Sequence, residues 1–157
     1  MAVTNLNHAV LYVRDAATTS AFYQDVLGFV VVTDIGPGRA VFLRAGGSDN
    51  HHDLGLFTVG AQAGPPTTGR SAGLYHLAWE VESIDELAVM KDRLTAAGAL
   101  VGASDHGVSK SLYAKDPDGI EFEVLWTVPR EDWGDNDALT THLDLDAELA
   151  RYGVGAE

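Results

Sequence analysis

Three polar residues interrupt otherwise apolar segments. His8 lies in "LNHAVLYV", His76 in "LYHLAWEV" and Glu123 in "IEFEVLW". If each segment is a strand, alternate residues share a side. His8 then points with Val10 and Tyr12, His76 with Ala78 and Glu80, and Glu123 with Glu121 and Leu125. The opposite sides (Ala9, Leu11 and Val13; Leu77, Trp79 and Val81; Ile120, Phe122, Val124 and Trp126) are apolar and suit packing on a helix. Two imidazoles and one carboxylate form the set that holds Fe(II) on one face and leaves positions open, and the same donors suit Mn, Co, Ni and Zn. A single strand histidine is more often a hydrogen-bonded structural residue, and a single strand glutamate is more often solvated. The joint placement points to a metal. A further stretch, "SDHGVSKSLYAKDPDGIEFEVLW" (104–126), adds a histidine, a tyrosine and a tight turn ahead of Glu123.

The elements that must position these residues occur twice. "LNHAVLYVRDAATTSAFYQDVLGF" (6–29) and "LYHLAWEVESIDELAVMKDRLTAAGA" (74–99) each begin with a short apolar strand carrying histidine at its third position. Asp15 or Thr18 can cap the first helix, and Ser83 with Glu86 has capping-box spacing for the second. Ala21, Phe22, Val26 and Leu27, and then Leu87, Met90, Leu94 and Ala97, recur at helical intervals; Gly28 and Gly98 stand where helices stop. "FVVVTDI", "RAVFLRA" and "DLGLFTV" follow the first helix as strands, and "LVGASD", "KSLYAKD" and "IEFEVLW" follow the second. The pattern predicts an α+β fold of two βαβββ modules, spanning 1–63 and 74–128, with a Gly/Pro/Thr-rich linker at 64–73. The C-terminal extension at 129–157 is acidic, with a helix near Leu143 to Tyr152, and is expected to pack over the domain or a partner subunit.

Composition narrows the function classes. The net charge is −13, which argues against a nucleic-acid partner, whose binding draws on Lys and Arg, and against anionic membranes. No cysteine is present, so disulfides, iron–sulfur clusters and thiol nucleophiles are excluded. No segment reads as a signal peptide or a membrane span, and the expected location is the cytoplasm.

With these residues in view, the chain resembles the vicinal oxygen chelate superfamily over residues 5 to 127, which spans glyoxalases, bleomycin resistance proteins and extradiol dioxygenases. Members pair βαβββ modules around a metal-binding cavity, so the resemblance implies one domain over 1–157 with His8, His76 and Glu123 as metal ligands. His106, five residues, "LY", two residues, "DP", one residue, Gly119, three residues and Glu123 closely resemble the signature of type I extradiol ring-cleavage dioxygenases. Ser104 departs from that signature. "NHHDLGLF" (50–57) is similar to the paired-histidine strand of the same enzymes. Strand parity sets His52 with Leu54 and Leu56 and turns His51 away.

The resemblance implies Fe(II), or Mn(II) or another divalent metal, and a catechol-type aromatic substrate with O₂. It casts His52 as the acid–base residue beside oxygen, and His106 and Tyr113 as contacts to a substrate oxygen. Tyr12 and Phe42 are candidate pocket residues. Two modules correspond to the catalytic domain of the larger members, or to their single-domain forms, and homodimers or higher homo-oligomers are common among them. The competing functions are another metal-dependent member (lyase, isomerase or thiol transferase) and a protein that sequesters drugs or aromatic compounds. The trio His52, His106 and Tyr113 argues against the first, and oxygen uptake with a panel of catechols separates the dioxygenase from the second.

Overall fold

The computed structural model describes residues 2–66, 72–134 and 140–156. The first strand, β1 (Ala9–Val13), leads to Asp15, whose carboxylate accepts from the Thr18 amide at 2.7 Å and starts α1 (Ala16–Leu27). Of the two expected caps, Asp15 supplies the oxygen and Thr18 the amide. The helix stops at Gly28, whose φ of 77° needs a residue without a Cβ. Three strands follow: β2 (Val30–Ile35), β3 (Ala40–Arg44) and β4 (Leu54–Thr58). They form one sheet in the order β1-β4-β3-β2, with β1 parallel to β4 and the other pairs antiparallel.

The plan then repeats. After β5 (Leu77–Glu80), Ser83 accepts from the Glu86 amide at 3.1 Å and starts α2 (Ile84–Ala96). The Glu86 carboxylate takes the Glu82 amide at 2.9 Å, one residue earlier than a capping box would place it. The strands β6 (Leu100–Asp105), β7 (Ser109–Lys115) and β8 (Glu121–Thr127) complete a second sheet in the order β5-β8-β7-β6, again with one parallel pair, β5 and β8. The first strand after each helix carries an irregularity at the same place, between Val31 and Thr33 and between Leu100 and Gly102. The architecture is α+β, with two βαβββ modules.

Contacts divide the chain into two units. The first runs to Pro66 and includes the turn Pro117–Gly119, and the second takes the remainder. The expected linker at 64–73 contains residues 67–71, and the C-terminal extension contains 135–139 and 157; these lie outside the described residues.

The first unit buries Leu11, Val13, Val41, Leu43, Leu54 and Leu56 against Ala16, Tyr23 and Val26 of α1. The inward side of that helix is Ala16, Thr19, Ser20, Tyr23 and Val26, so the expected set is corrected: Ala21 is exposed, and Phe22 and Leu27 are half-buried. Two hydroxyls disguised the buried face. Ser20 Oγ donates to the Ala17 carbonyl at 2.9 Å, and Thr19 Oγ1 donates to Asp118 Oδ2 at 2.9 Å, so neither loses its hydrogen bond on burial. Asp118 also accepts the Arg14 amide at 2.8 Å and its guanidinium at 3.1 Å.

In the second unit Ile84, Leu87 and Leu94 of α2 are fully buried, as are Leu112 and Ala114 of β7, with Phe122 and Val124 of β8 nearly so. Each large apolar side chain contributes about 1.5–3 kcal/mol by leaving water. The C-terminal helix α3 (Leu145–Tyr152) packs on this unit. Tyr152 lies 5.2 Å from the Trp126 ring, and buried Lys110 reaches Glu148 at 3.4 Å. Asp105 and Thr141 exchange backbone hydrogen bonds at 2.9 Å, which adds a rung beyond β6. Among the described residues, no helix is long and apolar enough to cross a membrane.

Candidate functional site

Register across the second sheet sets the neighbours of Glu123. Ala78, Glu123, Tyr113 and Gly102 face one another in turn across β5, β8, β7 and β6. Directly opposed residues share a face, so Tyr113 and Glu123 are neighbours although ten positions apart in sequence. His76 joins them from the residue just before β5, which corrects its expected place within the strand. Its Nε2 is 3.1 Å from Glu123 Oε2, and its ring is flanked by Tyr75 at 4.7 Å and Tyr113 at 5.8 Å. Among the described residues, His76 Nδ1 is buried without a hydrogen-bond partner, so Glu123 and the flanking rings orient the imidazole.

His106 enters from the tight connection between β6 and β7. Gly107, at φ 76°, allows the reversal, and Asp105 Oδ1 accepts its amide at 2.7 Å while pairing with Lys110 at 2.7 Å. His106 Nε2 is then 2.8 Å from the Tyr113 hydroxyl, and Thr140 Oγ1 lies 3.4 Å from Nδ1. Burial, and then the negative Glu123, push the Tyr113 phenol up to about 12. Tyr113 therefore keeps its proton at neutral pH and can serve as a donor. The Glu121 carboxylate beside Tyr75 raises that phenol as well.

The first unit holds the other histidines. His8 also precedes its strand, and its exposed ring lies 4.6 Å from His52. His52 is not in a strand, because β4 starts only at Leu54. Strict alternation would have put it with buried Leu54 and Leu56, on the side away from Val10 and Phe42. Instead its ring meets Phe42 at 5.1 Å. The break comes at Asp53, whose buried carboxylate accepts from Ala45 N, Ser48 Oγ and Asn50 Nδ2, each at 2.8 Å, and folds the preceding loop back. Gly55 makes room for Phe42: a Cβ there would come within 3.3 Å of the ring. Burial lowers the pKa of His52, and neighbouring His8 and His51 lower it further. His51 is exposed, with its Nδ1 3.1 Å from His52 Nδ1.

Among the described residues, no group of three His, Asp or Glu side chains is gathered so as to hold a metal. The pair in the second unit nevertheless fits two sites of a metal. Donors each ~2.1 Å from an octahedral ion and at right angles to one another stand about 3.0 Å apart, which matches the 3.1 Å between His76 Nε2 and Glu123 Oε2. An imidazole and a carboxylate suit Fe, Mn or Zn.

Tyr75 and Thr140 were not anticipated. Tyr75 directly precedes His76 and could have been flagged by that adjacency. Thr140 comes from 34 residues beyond His106, and no local pattern marks it.

A profile described as the Glyoxalase/Bleomycin resistance protein/Dioxygenase superfamily matches residues 5–124. The catechol-2,3-dioxygenase of Bacillus subtilis (strain 168) is 31% identical over 157 residues, covering 96% of this chain and 53% of the relative. The biphenyl-2,3-diol 1,2-dioxygenase of Paraburkholderia xenovorans is 34% identical, covering 78% of this chain and 41% of the relative. An iron-dependent extradiol dioxygenase of Rhodococcus jostii is 29% identical, covering 75% and 41%. The chain thus spans about half the length of these curated relatives. Among solved structures, a glyoxylase/bleomycin resistance protein/dioxygenase domain from Frankia sp. EAN1pec superposes with a TM-score of 0.65 at 22% identity, covering 81% of this chain and 100% of that one. A lactoylglutathione lyase from Agrobacterium tumefaciens gives 0.58 at 27%, covering 79% and 94%.

Proposed function

The chain belongs to the glyoxalase/bleomycin resistance protein/dioxygenase superfamily, and from that premise we propose that it is an extradiol ring-cleavage dioxygenase acting on a catechol-type aromatic with O₂. The observation that carries this reading is the His106–Tyr113 hydrogen bond of 2.8 Å beside the His76–Glu123 pair. Superfamily reactions that isomerise or add a thiol do not call for a paired phenol and imidazole at that place. Extradiol relatives agree with it in name.

In this proposal His8, His76 and Glu123 hold Fe(II). The metal, when bound, supplies Lewis-acid binding of the diol oxygens and an electronic link between ring and O₂. Tyr113 donates its hydroxyl proton to a substrate oxygen, where negative charge builds as the diol is deprotonated. His106 Nε2–H donates to the Tyr113 oxygen and so keeps the phenolic proton directed at substrate. His52, held neutral by its surroundings, accepts a proton during oxygen attack and returns it as the O–O bond breaks. Phe42 and the open side of β1 supply an apolar wall. The ring C–C bond beside the diol and the O–O bond break, both oxygen atoms enter the product, and no outside reductant is consumed. The reading extends to the two modules acting as one domain, to a homodimer and to a cytoplasmic location.

The test is oxygen uptake by anaerobically Fe(II)-loaded protein given a panel of catechols. Uptake with a yellow ring-opened product supports the reading. Its absence across the panel, with isomerisation of a hemithioacetal instead, would favour a lyase like the Agrobacterium neighbour.

A further inference from the structure

We propose that Asn7, Asn50 and Asp53 form a relay that fixes the tautomer of His8, holding the proton on Nδ1 and leaving the Nε2 lone pair free. The relay starts at the buried end. Asp53 faces three donors, and an ionised carboxylate can only accept. Asn50 must therefore turn its NH₂ group to Asp53 Oδ1, at 2.8 Å. The same nitrogen donates to the Asn7 carbonyl at 3.0 Å, which is also acceptor-only. Two acceptors thus settle the sense of the Asn50 amide, and its Oδ1 is the atom left to face Asn7. At 3.3 Å from that oxygen stands Asn7 Nδ2, so the other end of the Asn7 amide, Oδ1, faces His8. Asn7 Oδ1 is 2.9 Å from His8 Nδ1. An amide oxygen cannot donate, so Nδ1 carries the proton.

The consequence rests on the reading of His8 as a metal ligand. A ligating histidine needs one bare nitrogen, and the group bonded to the other nitrogen sets its tautomer and orientation. His8 is exposed and has the His52 ring 4.6 Å away where His76 has two tyrosines and a carboxylate, so the 2.9 Å contact to Asn7 is what sets its tautomer and supports its aim. Asn7, Asn50 and Asp53 are positioning residues in this account. The two modules therefore hold their histidines by different means: a polar relay to the loop before β4 for His8, and a carboxylate with two tyrosine rings for His76.

The experiment uses the full-length, metal-free, ¹⁵N-labelled protein at neutral pH. Long-range ¹H–¹⁵N spectra of the imidazoles report each tautomer directly, and the His8→Ala spectrum assigns the His8 signals. The expected result is an Nδ1–H tautomer for His8, which moves to Nε2–H in Asn7→Leu and partly so in Asn50→Leu, where Asn7 keeps its acceptor but loses the group that sets its sense. Fe(II) affinity, measured against a competing chelator under argon, should fall about 10–100-fold in Asn7→Leu, with an unchanged melting temperature because Asn7 is exposed. An Nε2–H tautomer in the unmodified protein, or no change of tautomer in Asn7→Leu, would overturn the relay. Full Fe(II) affinity in His8→Ala would overturn the reading of His8 as a ligand, and the metal-free spectra would still decide the relay separately.

Discussion

Replacing Tyr113 by Phe removes one oxygen and little else. The ring stays opposite Glu123 and beside His76, 5.8 Å away, so the packing around the His76–Glu123 pair survives. Two things are lost. One is the 2.8 Å bond to His106, a net contribution of ~1 kcal/mol, which in a chain of this size lowers the melting temperature by about 2–4 °C. The other is the proposed donation to a charged substrate oxygen, worth ~1.5–3 kcal/mol. At about 1.36 kcal/mol per tenfold change in rate, kcat should fall about 10–150-fold. KM should move far less, because the charge on that oxygen grows toward the transition state. The assay is steady-state oxygen consumption at matched iron content with the best catechol of the panel. An unchanged kcat would refute the donor role. A loss of rate that simply tracks lost iron would show that Tyr113 serves the Glu123 ligand rather than the substrate.

Other perturbations separate the remaining roles. His52→Phe should retain Fe(II) and catechol but lose about two to four orders of magnitude in turnover; His51→Phe should do far less, and the reverse outcome would exchange their roles. His8→Ala, His76→Ala and Glu123→Ala should each lose stoichiometric iron while circular dichroism stays native, whereas Glu121→Gln should keep it; metal analysis of the purified variants decides. Tyr113 and Tyr152 are both pushed up to about 12 by burial first, with Glu123 or Asp132 adding to it. Such phenols stay protonated in the fold after the unfolded chain begins to ionise near pH 10, so the stability they add is present below about pH 10 and disappears as pH rises through about 12. Urea midpoints for Tyr152→Phe across that range should therefore decline less steeply than those of the unmodified protein, and parallel curves would contradict the shift.

The repeated module was legible in the sequence because its signals are local. The caps at Asp15 and Ser83, the stops at Gly28 and Gly98 and the alternation along β1, β5 and β8 depend on near neighbours in the chain. Of the apolar stripe read for α2, Leu87 and Leu94 are core, whereas Met90 is half-buried and Ala97 exposed. The inward face of α1 was misread, since Ser20 satisfies its buried hydroxyl on the Ala17 carbonyl of its own helix and Thr19 on a turn 99 residues away. His52 was placed by an alternation that ends two residues too early, because the hydrogen bonds of the Asp53 carboxylate to Ala45, Ser48 and Asn50, rather than the strand, set the path of that loop. Pattern and resemblance named His8, His76, Glu123, His106 and Tyr113 as candidates. Strand register made Tyr113 and Glu123 neighbours, and a glycine turn brought His106 onto the phenol. Hydrogen-bond sense between Asn7 and Asn50 is a property of the folded chain, because the two residues that set it lie 43 positions apart and meet only through tertiary contact.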